Sequence, residues 1–498
     1  MIHLILDGED YENDIYPLIK AFYPGEEVKV HRQNTNMEIT KESLTIHVVI
    51  ADSYLCVVAA KDEKQLYKEE EHIKELTKAE ELLVQRKKEI RNHLKRTVYR
   101  CLRSLTGEEL PWGTLTGIRP TKIVLEKLEA GEEKEAIRRY MLEEYYCSER
   151  KADLSLVVAG REHELLKEMD YRNGYSIYIG IPFCPSTCLY CSFTSYSIEK
   201  YGNMSESYLE ALMKEIRYAS TVLKGKKLTT VYIGGGTPTT LNEKQLDKLL
   251  TYIDTYLKPG QTMEYTVEAG RPDSITEGKL RILKQHGVNR ISINPQSMQQ
   301  KTLDLIGRKH TVGQIEEAFA LARKAGHENI NMDIIIGLPG EKEADVSSTL
   351  EQIDKLNPDS LTVHALALKR AARLNTEKVE YETADVKEAG SMAELTEKYA
   401  QSKEYHPYYL YRQKNMAGNL ENTGYARKGK EGLYNVLIME EKQTIIALGA
   451  GGQSKFVFHD ENRIERVENV KSLKDYVERI DEMIERKDRF LTENEHLL

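Results

Sequence analysis

Six short strand-like runs, each separated from the next by an amphipathic helical run, restrict residues 175–365 to a parallel α/β architecture. The runs are YSIYIGI, LTTVYIG, MEYTVEA, RISIN, INMDIIIG and DSLTVHAL, and the helical stretches between them include SYLEALMKEIRYASTVL, EKQLDKLLTYIDTYL and VGQIEEAFALARKAG. A strand that lies parallel to its predecessor needs a crossover of a dozen or more residues, which a helix supplies. Repeated βα units therefore predict a parallel sheet, either open or closed into a partial barrel, and the pattern alone does not choose between them.

In such architectures ligands gather at the C-terminal ends of the strands. The unusual residues fall there. Cys184, Cys188 and Cys191 follow the first strand, and GGGTPT follows the second from Gly234. Glu268 ends the third, Gln296 in NPQS follows the fourth, Asp333 sits within the fifth and His364 closes the sixth.

The three clustered cysteines demand chemistry that the other three do not. Six cysteines in 498 residues are no disulfide scaffold, and Cys56, Cys101 and Cys147 stand alone in apolar or helical surroundings, as small buried hydrophobes do. A structural zinc site wants four ligands, usually from paired CxxC units. Here CxxxCxxC supplies three, and the histidine nearest upstream, His163, lies 21 residues before Cys184. A 4Fe-4S cluster held by three thiolates would keep one iron open to an outside ligand. Zinc and the cluster both remain open on spacing alone.

Elsewhere the chain reads more plainly. Period-two runs IHLIL, EVKVHR, LTIHVVI and YLCVVAA predict a small sheet over residues 1–62. A long charged helix is expected over 66–102, and its basic half QRKKEIRNHLKR is either a solvated face or a surface for an anionic partner. LPWGTLTGIRPTK then interrupts the helices. After residue 371 come a polar and helical stretch, a Tyr- and Asn-rich segment, LYNVLIMEEKQTIIALGAGG as an expected hairpin, and a last helix over about 471–487. Four regions result: 1–62, 63–170, 171–370 and 371–498. With 71 Lys plus Arg against 80 Asp plus Glu, a net charge of -9, and no long apolar run, the expectation is a cytoplasmic protein without membrane or nucleic-acid partners.

CxxxCxxC after the first strand of a βα array resembles the signature of the radical S-adenosylmethionine enzymes. YIGIPFCPSTCLYCSF, YIGGGTPT, EAGRPDSI, RISINPQSMQQKTLDLIGRKHT, NMDIIIGLPGE and NPDSLTVHALALKR resemble the successive blocks of the anaerobic coproporphyrinogen dehydrogenase and heme chaperone superfamily. LPWGTLTGIRPTK and YLYRQKNMAGNLENTGYA resemble its HemZ-type branch. The resemblance implies a partial (β/α)6 barrel with an N-terminal α+β domain and a C-terminal α+β extension that covers the substrate. It implies Cys184, Cys188 and Cys191 as ligands of a 4Fe-4S cluster. Tyr178, Tyr190, Gly235, Gly236, Thr237, Glu268, Gln296, Arg308, Asp333 and Ala367 take the positions of the family's contacts to cluster and S-adenosylmethionine. His364 and His310 receive no role from it.

The implied chemistry is cleavage of S-adenosylmethionine by an electron from the cluster, giving a 5'-deoxyadenosyl radical that abstracts hydrogen from a propionate β-carbon of coproporphyrinogen III. Two propionates would become vinyl groups, with an external donor such as flavodoxin or ferredoxin supplying electrons. Arg119, Lys122, Lys369, Arg370, Arg412 and Lys414 are candidates to meet the propionates. Three positions depart from the branches of the superfamily. Phe193 replaces the fourth cysteine of the archetypal dehydrogenase and Gly180 replaces a histidine of it, while Gly418 replaces the first residue of the chaperone's heme motif. A heme chaperone that does not decarboxylate, and a radical enzyme acting on another substrate such as RNA, are the alternatives.

Overall fold

The computed structural model describes the chain except residues 33–41, 52–53, 73–79, 118, 192, 194, 223–224, 368–385, 413–419 and 495–498, and describes no side chains for 80–86 and 386. Lys369, Arg370, Lys414 and Gly418 thus lie outside the described residues. Two compact units emerge: residues 1–157 with 412–419, and residues 158–411 with 420–498.

The first unit holds a five-stranded sheet of β1 (Ile2–Asp7), β2 (Val28–Arg32), β3 (Leu44–Ala51), β4 (Tyr54–Lys61) and β5 (Lys64–His72), in the order β2-β1-β3-β4-β5. β1 pairs parallel with β2 and β3, and the rest is antiparallel. Helix Glu12–Phe22 makes the crossover, and its Ile15, Leu18 and Ile19 are fully buried in one core with Leu4, Ile46 and Val48.

The helix expected over 66–102 is a correction. Residues 64–72 form β5, and the helix spans Glu80–Thr106. Asp62 and Glu63 both have positive φ, 54° and 61°, which is the two-residue turn whose twist suits a hairpin. The many charges of KQLYKEEEH suit an edge strand as well as a helix face. Within the basic stretch Arg91 meets Asp14 at 3.2 Å and Arg96 pairs with Glu144, and further along the helix Arg100 and Arg103 pair with Glu69 and Glu109.

The second unit is built on an eleven-stranded sheet. Its centre is β6 (Gly174–Ile181), β9 (Lys227–Gly235), β10 (Glu264–Gly270), β11 (Arg290–Ile293), β12 (Ile330–Ile336) and β13 (Ser360–Ala365), all parallel and in chain order. Two short strands, β7 (Phe183–Cys184) and β8 (Tyr196–Ser197), pair with each other outside it. β15 (Asn422–Ala426) and β14 (His406–Tyr411) continue the large sheet antiparallel beyond β13. Beyond β6 lie β16 (Thr444–Leu448), β17 (Gln453–Phe458) and β18 (Arg463–Glu468). Among the described residues β14 and β18 end the order without pairing to each other, so the sheet that carries the six βα units does not close into a complete barrel. Near-continuous burial along β10 and β12 is what parallel strands covered on both faces require.

The expected hairpin over LYNVLIMEEKQTIIALGAGG is also corrected. Leu433–Glu440 is a helix ending at Glu441 with φ 50°, and β16 pairs parallel with β6. LYNVLIME lacks period-two alternation; its Tyr434 stacks on Tyr232 with ring centres 4.5 Å apart. The last helical stretch is two helices, Leu473–Glu478 and Ile480–Glu493.

Candidate active site

The loop that closes between β7 and β8 carries all three clustered cysteines. Phe183 pairs with Tyr196 and Cys184 with Ser197, which brings the two ends of the loop together. Within it Cys191 N–H donates to the Cys188 carbonyl at 3.2 Å, and Leu189 N–H donates to the Ile306 carbonyl at 3.0 Å. None of the three is in a disulfide. Burial pushes the Cys184 thiol up to about 11, the Thr237 hydroxyl at 3.5 Å works against that rise, and Cys191 and Cys188 add to it by repulsion. Buried thiols that repel one another when ionised become thiolates only against positive charge, which a metal centre supplies. Among the described residues no three His, Cys, Asp or Glu side chains converge on a single ion-sized point.

Backbone from the second strand presses against this loop. Gly236 N–H donates to the Ile181 carbonyl at 2.8 Å, and Thr237 N–H to the Phe183 carbonyl at 2.7 Å. A Cβ on Gly236 would stand 2.6 Å from the Phe183 oxygen, 2.8 Å from the Ile181 oxygen and 3.1 Å from Cys184 Sγ. Two of those neighbours are backbone and cannot swing aside. Gly236→Ala is therefore expected to displace Cys184 and cut reconstituted iron content at least twofold, as read by iron analysis; full iron loading would contradict it. Gly235, with φ 104°, occupies backbone space where L side chains are strained, beside Tyr178 Oη.

A carboxyl group lies below these glycines. Glu268 accepts from the Tyr232 hydroxyl at 2.6 Å, and burial raises its carboxyl to about 7 with Asp333 adding to the effect. Tyr178, Tyr232 and Tyr434 stack beside it, and burial raises the Tyr178 phenol above its ordinary value. Asp333 behaves oppositely. Its burial is outweighed by His364, 3.8 Å away, and by the Asn331 amide at 2.6 Å, so it stays below the usual carboxylate range. His364, left without a role by sequence, is thus the partner of Asp333.

Gln296 and Arg308 complete the rim. Gln296 has φ 67°, its N–H donates to the Asp333 carbonyl and its carbonyl accepts from Ile335 N–H, both at 2.9 Å. A non-glycine residue held in that region costs free energy and is a frequent mark of function. Among the described residues its Oε1 is buried without a hydrogen-bond partner, as is Arg308 Nε. Arg308 donates to the carbonyls of Asn294 and Pro295 and interacts with Cys188 and Tyr190. Orphaned polar atoms of this kind suit a polar ligand. Burial raises the Tyr190 phenol. Ala367 is half-buried just beyond Leu366, whose N–H donates to the Ile336 carbonyl at 3.0 Å.

Other expected residues lie elsewhere. Arg119, Lys122 and Arg412 belong to the first unit, where Lys122 pairs with Glu126 at 3.6 Å and Arg412 donates to the Leu115 carbonyl at 2.5 Å. Phe193 is 70% exposed. At Gly180 a Cβ would come 3.3 Å from the Leu448 carbonyl, and its own carbonyl accepts from Tyr208 at 2.6 Å. Residues that sequence reasoning passed over are Tyr232, Arg271, Asp273 and Tyr434. The first three stood inside quoted blocks, but nothing in a string shows that Arg271 turns toward the cysteine loop.

The Radical SAM superfamily pattern matches residues 178–353. The oxygen-independent coproporphyrinogen-III oxidase-like protein HemZ of Bacillus subtilis is 42% identical over 409 residues, 81% of each chain. The heme chaperone HemW of the same organism is 38% identical over 195 residues, 39% of this chain and 51% of HemW. In fold, the chain is similar to coproporphyrinogen III oxidase (HemN) from Escherichia coli, described as a radical SAM enzyme, with TM-score 0.51 and 22% identity over 65% of this chain and 73% of that one.

Proposed function

The chain belongs to the radical SAM superfamily, in the family of the HemZ-type coproporphyrinogen-III oxidase-like proteins, and on that premise we propose that it is an oxygen-independent coproporphyrinogen III dehydrogenase. Enzymes of the superfamily use a 4Fe-4S cluster and S-adenosylmethionine, and these, when bound, supply an electron and a 5'-deoxyadenosyl radical able to abstract hydrogen.

The observation that carries the reading is the continuous rim from the cysteine loop through Thr237, Glu268, Asp333, Gln296 and Arg308. Cys184, Cys188 and Cys191 are the cluster ligands in this reading. Glu268, Gln296, Arg308 and Asp333 hold the polar groups of adenosylmethionine. Gly235, Gly236 and Thr237 let backbone approach it, Tyr178 and Tyr190 flank it, and Ala367 leaves room for the adenine. Each propionate loses a hydrogen atom, carbon dioxide and one electron, the electron leaving to an external acceptor.

The test is anaerobic reconstitution with iron and sulfide, then incubation with reductant, adenosylmethionine and coproporphyrinogen III. The expected products are 5'-deoxyadenosine, carbon dioxide and protoporphyrinogen IX, read by mass spectrometry. Nucleoside without porphyrinogen turnover would defeat the substrate assignment and leave the radical chemistry standing. The HemW relatives favour one second reading, a heme chaperone, which predicts stoichiometric heme binding without turnover.

Glu268 gives the site a pH signature. With a carboxyl raised to about 7, it holds a proton below that pH and a charge above it. Binding the adenosylmethionine ammonium favours the charged form, so affinity is expected to rise through about pH 7, approaching tenfold per unit on the acid side. Glu268→Gln should flatten that profile in calorimetric titrations; an unchanged profile would remove Glu268 from the contact. Stability of the unliganded protein runs the other way. The folded value exceeds the ordinary 4.5, so this group's contribution is complete below about 4.5 and lost as pH rises through about 7.

A further inference from the structure

Arg271 is nearly fully buried, 3% exposed, in a block whose only assigned member is Glu268. Its guanidinium is clamped by Asp273 through two bonds, Nε to Oδ1 at 3.0 Å and Nη2 to Oδ2 at 2.6 Å. The remaining Nη1 turns to the cysteine loop. It donates to the Ser186 carbonyl at 2.9 Å, to Ser186 Oγ at 2.8 Å and, more weakly, to Cys188 Sγ at 3.8 Å.

The backbone explains the aim. Along β10 the pairing with β11 shifts between Glu268 and Gly270, so one extra residue is inserted, and Gly270 has φ 62°. A bulge beside a site redirects the side chain that follows it. Here it leaves Glu268 within the rim and sends Arg271 across to the loop between β7 and β8.

We propose that Arg271 is a positioning residue for the cluster, pinning the cysteine loop through Ser186 and directing a charge-assisted hydrogen bond at the Cys188 sulfur so that the cluster is easier to reduce. The proposal rests on Cys188 being a cluster ligand. The donor set fits that group: three cysteines outside any disulfide border one loop, and buried guanidinium groups of Arg271 and Arg308 lie beside one of them. Reduction adds negative charge to the cluster and its sulfurs. A donor aimed at the sulfur therefore favours the reduced state. The Asp273 clamp keeps that donor from turning away, as the fork geometry of arginine allows and lysine does not.

The experiment compares the full-length protein, Arg271→Gln and Arg271→Lys after anaerobic reconstitution, measuring iron and sulfide content and the cluster midpoint potential by EPR-monitored titration. Both variants are expected to load, Arg271→Gln with a reduction equilibrium about tenfold less favourable, or about 59 mV lower for one electron, and Arg271→Lys in between. A purely structural arginine would leave the potential unmoved, and wild-type potentials in the loaded variants overturn the proposal. If only Arg271→Lys loads, its potential alone decides in the same way. If neither loads although circular dichroism shows a native fold, the loop is what Arg271 holds, which supports the positioning role. Failure of the unaltered protein to load, or full loading of a Cys188→Ser variant, would strike the cluster reading itself and is distinguishable from all of these.

Discussion

Cys188→Ser is expected to abolish cluster assembly and, with it, adenosylmethionine cleavage. Cys188 is 8% exposed and has both Arg271 and Arg308 beside its sulfur. A serine hydroxyl is a far weaker acid than a thiol and has a shorter reach, so it cannot replace the thiolate in a buried three-ligand site. Visible absorbance from iron–sulfur charge transfer should largely vanish, and 5'-deoxyadenosine production should fall at least ~10³-fold, about 4 kcal/mol in barrier terms. Cys56→Ser, Cys101→Ser and Cys147→Ser serve as controls. Those thiols are buried in the first unit, so the changes can cost stability but should leave iron per folded chain intact. Unchanged iron and nucleoside yields in Cys188→Ser would refute the cluster reading.

Lys487→Met is expected to destabilise the second unit by ~3–5 kcal/mol, because it strands a buried carboxylate. Lys487 and Glu215 have side chains 1% and 0% exposed and meet at 2.7 Å. Glu215 also accepts from Asn469 Nδ2 at 2.8 Å, the Tyr476 hydroxyl at 2.5 Å and Gly449 N–H at 2.8 Å. Removing the ammonium leaves the neutral donors, which do not balance a full charge in a low-dielectric interior. Changing both partners, Glu215→Leu with Lys487→Met, should recover part of the loss in urea denaturation, since no isolated charge then remains. A single variant as stable as the parent would show that water or a substitute cation reaches Glu215. Gly449 follows β16 and packs against Gly180, so the single change should also loosen the backbone next to the cysteine loop.

Local pattern carried much of the fold. The six βα units were legible because buried parallel strands and amphipathic crossovers have different periods. Errors came where a local signal serves two structures. KQLYKEEEH has enough charge for a helix face, but the positive-φ turn at Asp62 and Glu63 makes it a strand. LYNVLIME is apolar enough for a strand, yet Tyr434 enters an aromatic stack that a helix presents.

The sequence by itself determined the parallel α/β core and the placing of three cysteines at one strand end, because spacing and residue type are local properties. Only the tertiary structure decided that Arg91, Arg96, Arg100 and Arg103 of the long helix pair with Asp14, Glu144, Glu69 and Glu109, that Glu268 and Asp333 are pushed to opposite protonation behaviour, and that Arg271 reaches Cys188. Those facts depend on burial and on partners distant in the chain, as from Arg96 to Glu144 at a separation of 48 and from Arg271 to Cys188 at 83. Electrostatic energies follow distance and dielectric in space, and neither is written in the order of residues.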